Sequence, residues 1–475
     1  MTAACIAGRV PLPVRRVRRT PVCFTMALTV WLAGCTPTGG GADTALEAHV
    51  DALVAPLVVA HEFSGAVVLT RRGKIVYERG FGMANHAAGL PFTSRTPSDG
   101  ASLAKTFTAS SIWWLTAEGR IELDAPVTRY VAEYPHTGTT VRQLIGHSNG
   151  LPADYAWFDA HFAATEPRTT PLMLALVAQH QPSPAFTPGT RFEYSSIGFD
   201  VAALLLERVT GKRYEDVLQA RFFSPLGMRE SFVRPARLAE WTGPRTLGYR
   251  WQDSTWVTVD VFDMEAFRGG SNIYFSARDL SRWASAHSAG TALPDGVWQA
   301  GGQRTSVGGK HTGLTGLNWY CDDARTRCFY TGDLNAFFSF VYWDRTRDHS
   351  VVYVSNSSLP AWRRAWLSRE LIASLTNLRA VTPDETSFQR FTRDSIASVA
   401  GVYQAHSIGT ITVVLTARSL RMRIADGLEY DLFQVSPDVL YAPGLDYWLA
   451  FSGGARPSTL HVRSVFFDAV LQRKR

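Results

Sequence analysis

The feature that most constrains the fold of this chain is a serine and a lysine, three residues apart, at the head of an apolar segment. Lys105 is one of only five lysines among 48 basic residues, and no other lysine has a serine three positions before it. The apolar residues that follow, including Phe107, Ile112 and Leu115, recur at helical spacing. We therefore predict that Ser102 lies in the first turn of a buried helix, with Lys105 one turn along on the same face.

This pair has a chemical meaning as well as a structural one. A serine hydroxyl becomes a strong nucleophile when a neighbouring base takes its proton, and a buried lysine amine can be that base. Arginine stays charged in proteins and could not take the same role. The helix dipole would also favour an alkoxide on Ser102. The same spacing is common at surface helix starts, so other motifs have to support the hypothesis.

Further segments occur in an order that resembles the serine β-lactamase and penicillin-binding protein family, closest to its class C β-lactamase, D-aminopeptidase and esterase branch. In that family, S-x-x-K holds the nucleophile and the base. The matching segments are E-G-R-I-E-L-D-A-P-V-T-R-Y at 118–130, L-I-G-H-S-N-G-L-P at 144–152, F-T-P-G-T-R-F-E-Y-S-S at 186–196, V-T-G-K at 209–212, P-L-G-M at 225–228 and G-G-S-N-I-Y-F-S-A-R-D-L at 269–280. The resemblance implies an α/β (α+β) fold of the β-lactamase/transpeptidase type, in which helices flank an antiparallel sheet and a helical subdomain is added.

The second family motif, Y-x-N, is matched by Tyr194-Ser195-Ser196. The resemblance implies that Tyr194 shares a proton with Lys105, as a base in acylation or as a helper of water in deacylation. A buried structural tyrosine at a helix start is the alternative interpretation. Ser196 replaces the asparagine of the motif, and a hydroxyl is shorter and has one donor where an amide has two. We therefore expect an altered substrate contact at Ser196.

The third family motif, K-T-G or H-T-G, is matched by Tyr330-Thr331-Gly332, because D-L-N-A-F-F-S follows it as G-x-x-G-F-x-S follows the family motif. A competing K-H-T-G stands at 310–313. We reject it because G-L-N-W-Y at 316–320 resembles the Y-G-L-G-W strand that precedes the motif in the family.

The resemblance also implies an oxyanion hole made by the backbone N–H groups of Ser102 and Asp333. In this chain the third motif loses a cation at Tyr330 and gains an acidic residue at Asp333. Both changes should weaken the binding of substrates that carry a carboxylate, including β-lactams.

Two other catalytic interpretations are weaker. The segment G-H-S-N-G at 146–150 fits the G-x-S-x-G nucleophile elbow of α/β-hydrolases, which would make Ser148 the nucleophile. That elbow has to follow a strand, and the segment already has a place in the other family. The histidines are scattered and form neither H-E-x-x-H nor a cysteine–histidine cluster of zinc spacing. A metal-dependent hydrolase is disfavoured, and no metal or organic cofactor is implied.

The N-terminus has the pattern of a secretory signal. Five arginines precede an apolar run from Val22 to Leu32, and no acidic residue occurs before Asp43, so we predict a signal peptide over residues 1–34. Leu32-Ala33-Gly34-Cys35 resembles the bacterial lipobox, which implies an acylated Cys35 as the mature first residue; an ordinary signal peptide with a chance cysteine is the alternative. We predict a protein of the bacterial cell envelope, lipid-anchored to the membrane and facing the periplasm or the exterior.

Charge and the remaining cysteines fit this compartment. Removal of residues 1–34 takes away five arginines and lowers the formal net charge from +7 to +2, which leaves no footprint for nucleic acid. Two cysteines remain beyond Cys35, at Cys321 and Cys328. In an oxidising compartment they can form a disulfide across a hairpin loop, with reduced thiols as the alternative.

The chain divides into segments of different character. We predict a flexible tether over 35–47, a hydrolase domain over 48–380, a linker over 381–394 and a β domain over 395–475. Short alternating strands after Pro383 predict a small antiparallel barrel or sandwich, and this part resembles the lipocalin-like domain appended to some family relatives.

The function predicted from these observations is acyl transfer by a serine hydrolase. Ser102 would attack an ester, an amide or a D-amino-acid peptide, and a covalent acyl-enzyme would then be hydrolysed. The partner would be a small-molecule or peptide substrate. The altered second and third motifs favour a rival interpretation, a non-catalytic envelope binding protein that retains the fold.

Overall fold

The structure is a computed structural model. It describes residues 41–151, 156–162, 167–180, 182–235, 237, 240–241, 245–261, 266–322, 324–376, 396–405, 409–415, 420–424, 429–436, 439–442, 447–452, 456–464 and 468–474. The predicted signal peptide, Cys35 and the linker over 381–394 lie outside these residues.

The first part of the chain alternates strands and helices. Its strands are β1 (Gly65–Arg71), β2 (Lys74–Phe81), β3 (Met83–Asn85), β4 (Leu90–Pro91), β5 (Ser98–Asp99), β6 (Phe232–Val233), β7 (Tyr249–Gln252), β8 (Thr255–Thr258), β9 (Ile273–Phe275), β10 (Arg304–Val307), β11 (Lys310–Thr315), β12 (Tyr320–Cys321), β13 (Arg327–Leu334), β14 (Phe337–Asp344) and β15 (His349–Ser355). Its helices are α1 (Gly41–Val59), α2 (Ala104–Ala117), α3 (Val141–Ile145), α4 (Ala156–Asp159), α5 (Thr170–His180), α6 (Ile197–Thr210), α7 (Tyr214–Leu218), α8 (Ser224–Leu226), α9 (Ala277–Ala289), α10 (Asp295–Gly301) and α11 (Ala361–Thr376). This part also contains short 3₁₀ turns at Ala101–Leu103 and Val127–Arg129 and a π-turn at Gln219–Phe223.

The central sheet is antiparallel and has eight strands in the order β10-β11-β12-β13-β14-β15-β1-β2. Strands β1 and β2 form the hairpin that the sequence predicts, and the turn residues Arg72 and Gly73 both have positive φ. Positive φ at both central residues is the conformation that matches the twist of a two-residue hairpin.

Helices cover both faces of this sheet. On one face, Thr70 contacts Ser350 in the neighbouring strand and Ser285 in α9. On the other face, the Tyr353 hydroxyl contacts Ser368 in α11. Ser350 and Tyr353 are an odd number of positions apart, so they point to opposite sides of the sheet. This explains why every residue of β14 and β15 is buried, and it confirms the predicted fold class.

Residues 41–47, which the sequence analysis placed in a flexible tether, lie in α1. That part of the prediction is wrong, because apolar residues at helical spacing begin inside it. Leu46, Val50, Val54 and Leu57 are buried and belong to the main core. None of the described helices has the length and apolar character needed to cross a bilayer.

The C-terminal part is a closed antiparallel barrel of eight strands, β16 to β23, preceded by a 3₁₀ turn at Ile396–Val399. The strands are β16 (Gly401–Ala405), β17 (Gly409–Leu415), β18 (Leu420–Ile424), β19 (Glu429–Ser436), β20 (Val439–Ala442), β21 (Tyr447–Ser452), β22 (Thr459–Arg463) and β23 (Asp468–Arg473). The barrel has its own core, which includes Tyr403, Met422 and Phe451. The predicted small barrel is therefore present, whereas its resemblance to lipocalins stays a prediction.

Cys321 and Cys328 form a disulfide, as predicted. The two cysteines lie directly opposite each other in β12 and β13. The bond closes the short hairpin that leads into Tyr330, and a cross-link of this kind restricts the unfolded chain.

Candidate active site

The chain makes a sharp turn immediately before Ser102. Strand β5 ends at Asp99, the Asp99 carboxylate accepts a 2.7 Å hydrogen bond from the Ala101 N–H, and Ala101 has a φ of 47°. A left-handed alanine is strained, and such strain is found where the surrounding structure imposes it, commonly at functional sites. The 3₁₀ turn then runs into α2, so Ser102 stands at the start of a helix, as the sequence predicts.

Lys105 is completely buried one turn after Ser102. Its Nζ lies 3.1 Å from Ser102 Oγ, 2.9 Å from Ser196 Oγ and 2.8 Å from the carbonyl oxygen of Gly270. A neutral amine has two N–H donors and one lone pair, so it can donate to Gly270 and Ser196 while it accepts the Ser102 proton. Within the described residues, no carboxylate forms an ion pair with Lys105.

Two side chains that sequence reasoning did not single out, those of Asp200 and Thr108, hold the backbone at Gly269 and Gly270 in place. The Gly270 N–H donates to the buried carboxylate of Asp200, and the Thr108 hydroxyl donates to Gly269 O. A Cβ at Gly270 would lie 2.9 Å from both Asp200 Oδ1 and Ser196 O. The backbone at Gly269 and Gly270 therefore approaches the start of α6 so closely that only glycine fits.

Strand β13 passes directly beside the turn before Ser102. A Cβ at Gly332 would lie 2.0 Å from the carbonyl oxygen of Gly100, so only glycine fits there. Ser339, opposite Gly332 in β14, donates a 2.8 Å hydrogen bond to the same oxygen. This contact brings Thr331, Gly332 and Asp333 beside Ser102. The two predicted oxyanion donors, the backbone N–H groups of Ser102 and Asp333, therefore belong to adjacent backbone segments.

The acidic residue of this strand has a counter-ion that the sequence did not reveal. The Asp333 carboxylate, with a side chain that is 56% exposed, pairs at 2.5 Å with Arg364 of α11, which is 16% exposed. The anion that we expected to repel carboxylate substrates is therefore balanced. The loss of a cation at Tyr330 is unaffected by this pairing.

Tyr194 lies at the same site but contacts a different partner from the one we expected. Its hydroxyl is 2.9 Å from the hydroxyl of Tyr330, and its ring lies 5.1 Å below Lys105 Nζ. In the described part of the chain, this hydroxyl makes no hydrogen bond with Lys105 or Ser102. Ser196 is the residue of the second motif that makes a hydrogen bond with Lys105.

Two further residues, His147 and Asn318, complete the surroundings of Tyr194, and sequence reasoning missed both. The His147 ring stacks on the Tyr194 ring at 4.5 Å, and its Nε2 lies 2.9 Å from Asn318 Oδ1. Asn318 Nδ2 donates a 2.7 Å hydrogen bond to the Tyr330 hydroxyl. Burial lowers the pKa of His147 to about 3 and raises the pKa of Tyr330 well above its usual value. Both side chains are therefore neutral at neutral pH.

Neither competing motif has the position that its catalytic role would require. Residues 310–313 belong to β11, which is two strands away from β13 in the sheet. Ser148 follows helix α3 rather than a strand and is buried, with its backbone bonded to Gln143 and Gly189. The strand-to-helix elbow that Ser148 would need is absent at this described position.

Comparisons with known proteins show to which family the chain belongs. A sequence model of the family described as Beta-lactamase matches residues 50–374. Penicillin-binding protein 4* of Bacillus subtilis (strain 168) is 30% identical over 191 residues, which cover 40% of this chain and 42% of that protein. This chain therefore matches less than half the length of that relative.

Solved structures show the same fold. The octameric penicillin-binding protein homologue from Pyrococcus abyssi has a TM-score of 0.61 at 19% identity, over 90% of this chain and 99% of that one. The D-amino acid amidase from Ochrobactrum anthropi SV3 has a TM-score of 0.57 at 20% identity, over 71% of this chain and 100% of that one. Because the matched residues 50–374 include both the turn at Ser102 and the whole central sheet, the chain belongs to the beta-lactamase and penicillin-binding-protein-like family of serine hydrolases.

Proposed function

We propose that this protein is an active serine hydrolase that works through a covalent acyl-enzyme. Ser102 Oγ attacks a substrate carbonyl while its proton passes to Lys105 Nζ, and the resulting oxyanion accepts hydrogen bonds from the backbone N–H groups of Ser102 and Asp333. The bond to the leaving group breaks as Tyr194 donates its proton to that group. Water then attacks the ester, its proton returns to Tyr194, and the Lys105 proton returns to Ser102.

The observation that carries this proposal is the environment of Lys105. The amine is buried, lies 3.1 Å from Ser102 Oγ, and is held by Ser196 and Gly270 without a carboxylate partner among the described residues. A protein that only bound a ligand would have no need of this arrangement. The rival non-catalytic function is favoured by the missing cation at Tyr330.

Labelling with a fluorophosphonate separates these two functions. The reagent phosphonylates a serine only when that serine is activated, so the wild type should become labelled on the peptide that contains Ser102. Mass spectrometry of the digested protein locates the adduct. An unlabelled but folded protein would support the binding function instead.

Substrates of the proposed enzyme are esters, amides or D-amino-acid peptides of the cell envelope. The similarity to a D-amino acid amidase and to a penicillin-binding protein supports this range. The missing cation at Tyr330 favours substrates without a free carboxylate near the reacting carbonyl, whereas Asp333, whose charge is balanced by Arg364, does not select against one.

We predict that penicillins are poor substrates of the wild type. A carboxylate bound at Tyr330 lacks a charge-assisted hydrogen bond that is worth roughly 1.5–3 kcal/mol. Tyr330→Lys or Tyr330→His should therefore raise kcat/KM for a penicillin by about 10-fold or more. Efficient hydrolysis of penicillins by the wild type, unchanged in these variants, would show that the carboxylate binds away from Tyr330.

The N-terminal sequence supports a lipid anchor at Cys35 and a position in the bacterial cell envelope. Attachment of two or more acyl chains holds a protein stably at a membrane, whereas one chain does not. In the native host, the wild type should fractionate with membranes and incorporate radiolabelled palmitate, and Cys35→Ser should lose both properties. Recovery of unmodified protein in the soluble fraction would contradict the anchor.

A further inference from the structure

Two of the places where this chain differs from its family motifs touch each other. Asn318 stands where the family strand Y-G-L-G-W has its second glycine, and Tyr330 stands where the third motif has a cation. Asn318 keeps the glycine-like backbone, with a φ of 63°, which asparagine tolerates better than most residues. Its amide Nδ2 lies 2.7 Å from the Tyr330 hydroxyl. The two replacements therefore form one hydrogen-bonded unit.

The direction of each hydrogen bond in this unit follows from one fixed donor. The backbone N–H of Ser195 can only donate, and it donates to Nδ1 of His147 at 3.0 Å. A neutral imidazole then carries its proton on Nε2, which donates to Asn318 Oδ1 at 2.9 Å. This contact fixes the orientation of the Asn318 amide, whose nitrogen donates to Tyr330. His147, Asn318 and Tyr330 are all buried, so water does not compete for these bonds.

The last bond of the chain joins Tyr330 to Tyr194, and burial decides its direction. The hydroxyl oxygen of Tyr330 already accepts from Asn318, and its own proton has only Tyr194 as an acceptor among the described residues. If Tyr194 donated instead, the Tyr330 proton would be buried without a partner, which is costly. The Tyr194 side chain is 38% exposed, so its own proton can point into the cleft.

We infer that His147, Asn318 and Tyr330 are positioning residues that orient the Tyr194 proton toward the substrate's leaving group. The inference rests on the proposed function, in which Tyr194 supplies that proton. When Tyr194 has given it up, the Tyr330 hydroxyl donates to the phenolate oxygen and stabilises it. A chain of neutral donors thus performs the task at the position where the family motif has a cation.

The charges around Tyr194 are compatible with a neutral relay. Among the residues that the structure describes, the titratable groups in contact with Tyr194 are Lys105 from α2, His147 from the loop after α3, and Tyr330 from β13. Burial holds His147 and Tyr330 in their neutral forms, as described above. In the proposed mechanism Lys105 exchanges its proton with Ser102, while His147 and Tyr330 keep theirs and leave Tyr194 to exchange a proton with the leaving group.

The test compares two acetate esters that differ in their need for an acid. p-Nitrophenolate is a weak base and leaves without protonation. Benzyl alkoxide is a strong base and leaves readily only when an acid protonates it to benzyl alcohol. Tyr330→Phe removes the donor to Tyr194. Asn318→Asp keeps the shape of the side chain but replaces the amide donor by an acceptor, so Tyr330 would donate to the new carboxylate. Each variant should lower kcat/KM for benzyl acetate by about 10- to 100-fold and for p-nitrophenyl acetate by about 3-fold or less.

Tyr342→Phe is the matched control, since Tyr342 is a buried tyrosine of the adjacent strand β14 that lies outside the relay. It should leave both rates unchanged. Equal losses on the two esters in Tyr330→Phe and Asn318→Asp, or no loss on either, would overturn the relay, because a purely structural defect does not distinguish leaving groups. A wild type without Ser102-dependent esterase activity would overturn the proposed function itself, which is a different result.

Discussion

Ser102→Ala should reduce ester hydrolysis by at least about 10³-fold, because it removes the atom that forms the acyl-enzyme. Two serine hydroxyls lie beside the buried Lys105 amine, those of Ser102 and Ser196. Ser196 accepts a hydrogen bond from the amine, so Ser102 is the serine whose proton the amine can accept. The measurement is the turnover of p-nitrophenyl acetate by the purified variant, with its thermal unfolding midpoint recorded beside that of the wild type.

Ser148→Ala is the control for this experiment. Ser148 lies in the G-x-S-x-G segment, and the proposed mechanism gives its hydroxyl no role. The variant should keep most of the wild-type turnover. If Ser148→Ala lost activity at an unchanged unfolding midpoint while Ser102→Ala kept it, the nucleophile would have been assigned to the wrong serine.

Lys105→Arg should be almost as damaging, with an expected loss of about 10³-fold. The substitution retains a positive charge at the site, but a guanidinium is not deprotonated in proteins and cannot accept the Ser102 proton. If Lys105 acted only as a cation that stabilises negative charge, the variant would retain a substantial part of its activity. Turnover of p-nitrophenyl acetate distinguishes these outcomes.

Lys212→Arg is the control for a general effect of the replacement, because Lys212 is exposed. It should behave like the wild type. The guanidinium is larger than the amine and Lys105 is completely buried, so the unfolding midpoint of Lys105→Arg has to be measured as well. A folded variant that hydrolyses the ester at near the wild-type rate would contradict a proton-accepting role for Lys105.

Local sequence patterns predicted the parts of the site that local structure creates. The three-residue spacing of Ser102 and Lys105 places both on one face of a helix start, and their distance of 3.1 Å follows from that geometry. The hairpin at Arg72-Gly73 and the short antiparallel strands of the C-terminal domain were predicted for the same reason, since turn residues and strand alternation are local signals; closure of these strands into a barrel, rather than a sandwich, came from the structure.

Contacts between distant parts of the chain were not predictable in this way. His147 and Asn318 are 171 positions apart, and neither has a local pattern that points to the other. The partner of Asp333 is Arg364 in another element, so its charge balance was invisible in the sequence. For a further contact, the hydrogen bond between Asn318 and Tyr330, a signal was nevertheless present, because both residues differ from the family motifs.

The order of strands in the central sheet governs how this chain can fold. Strand β1, near the start of the described chain, lies between β2 and β15, and Gly65 pairs with Ser355. Strand β1 can pair with β2 early, but it acquires its second neighbour, β15, only when almost all of the hydrolase domain has been synthesised. Pairing across such a long loop is slow, because the chain entropy of closure is lost before the contacts form. The growing chain thus stays without its complete central sheet for most of its synthesis, and during that time its unpaired strands are exposed to aggregation.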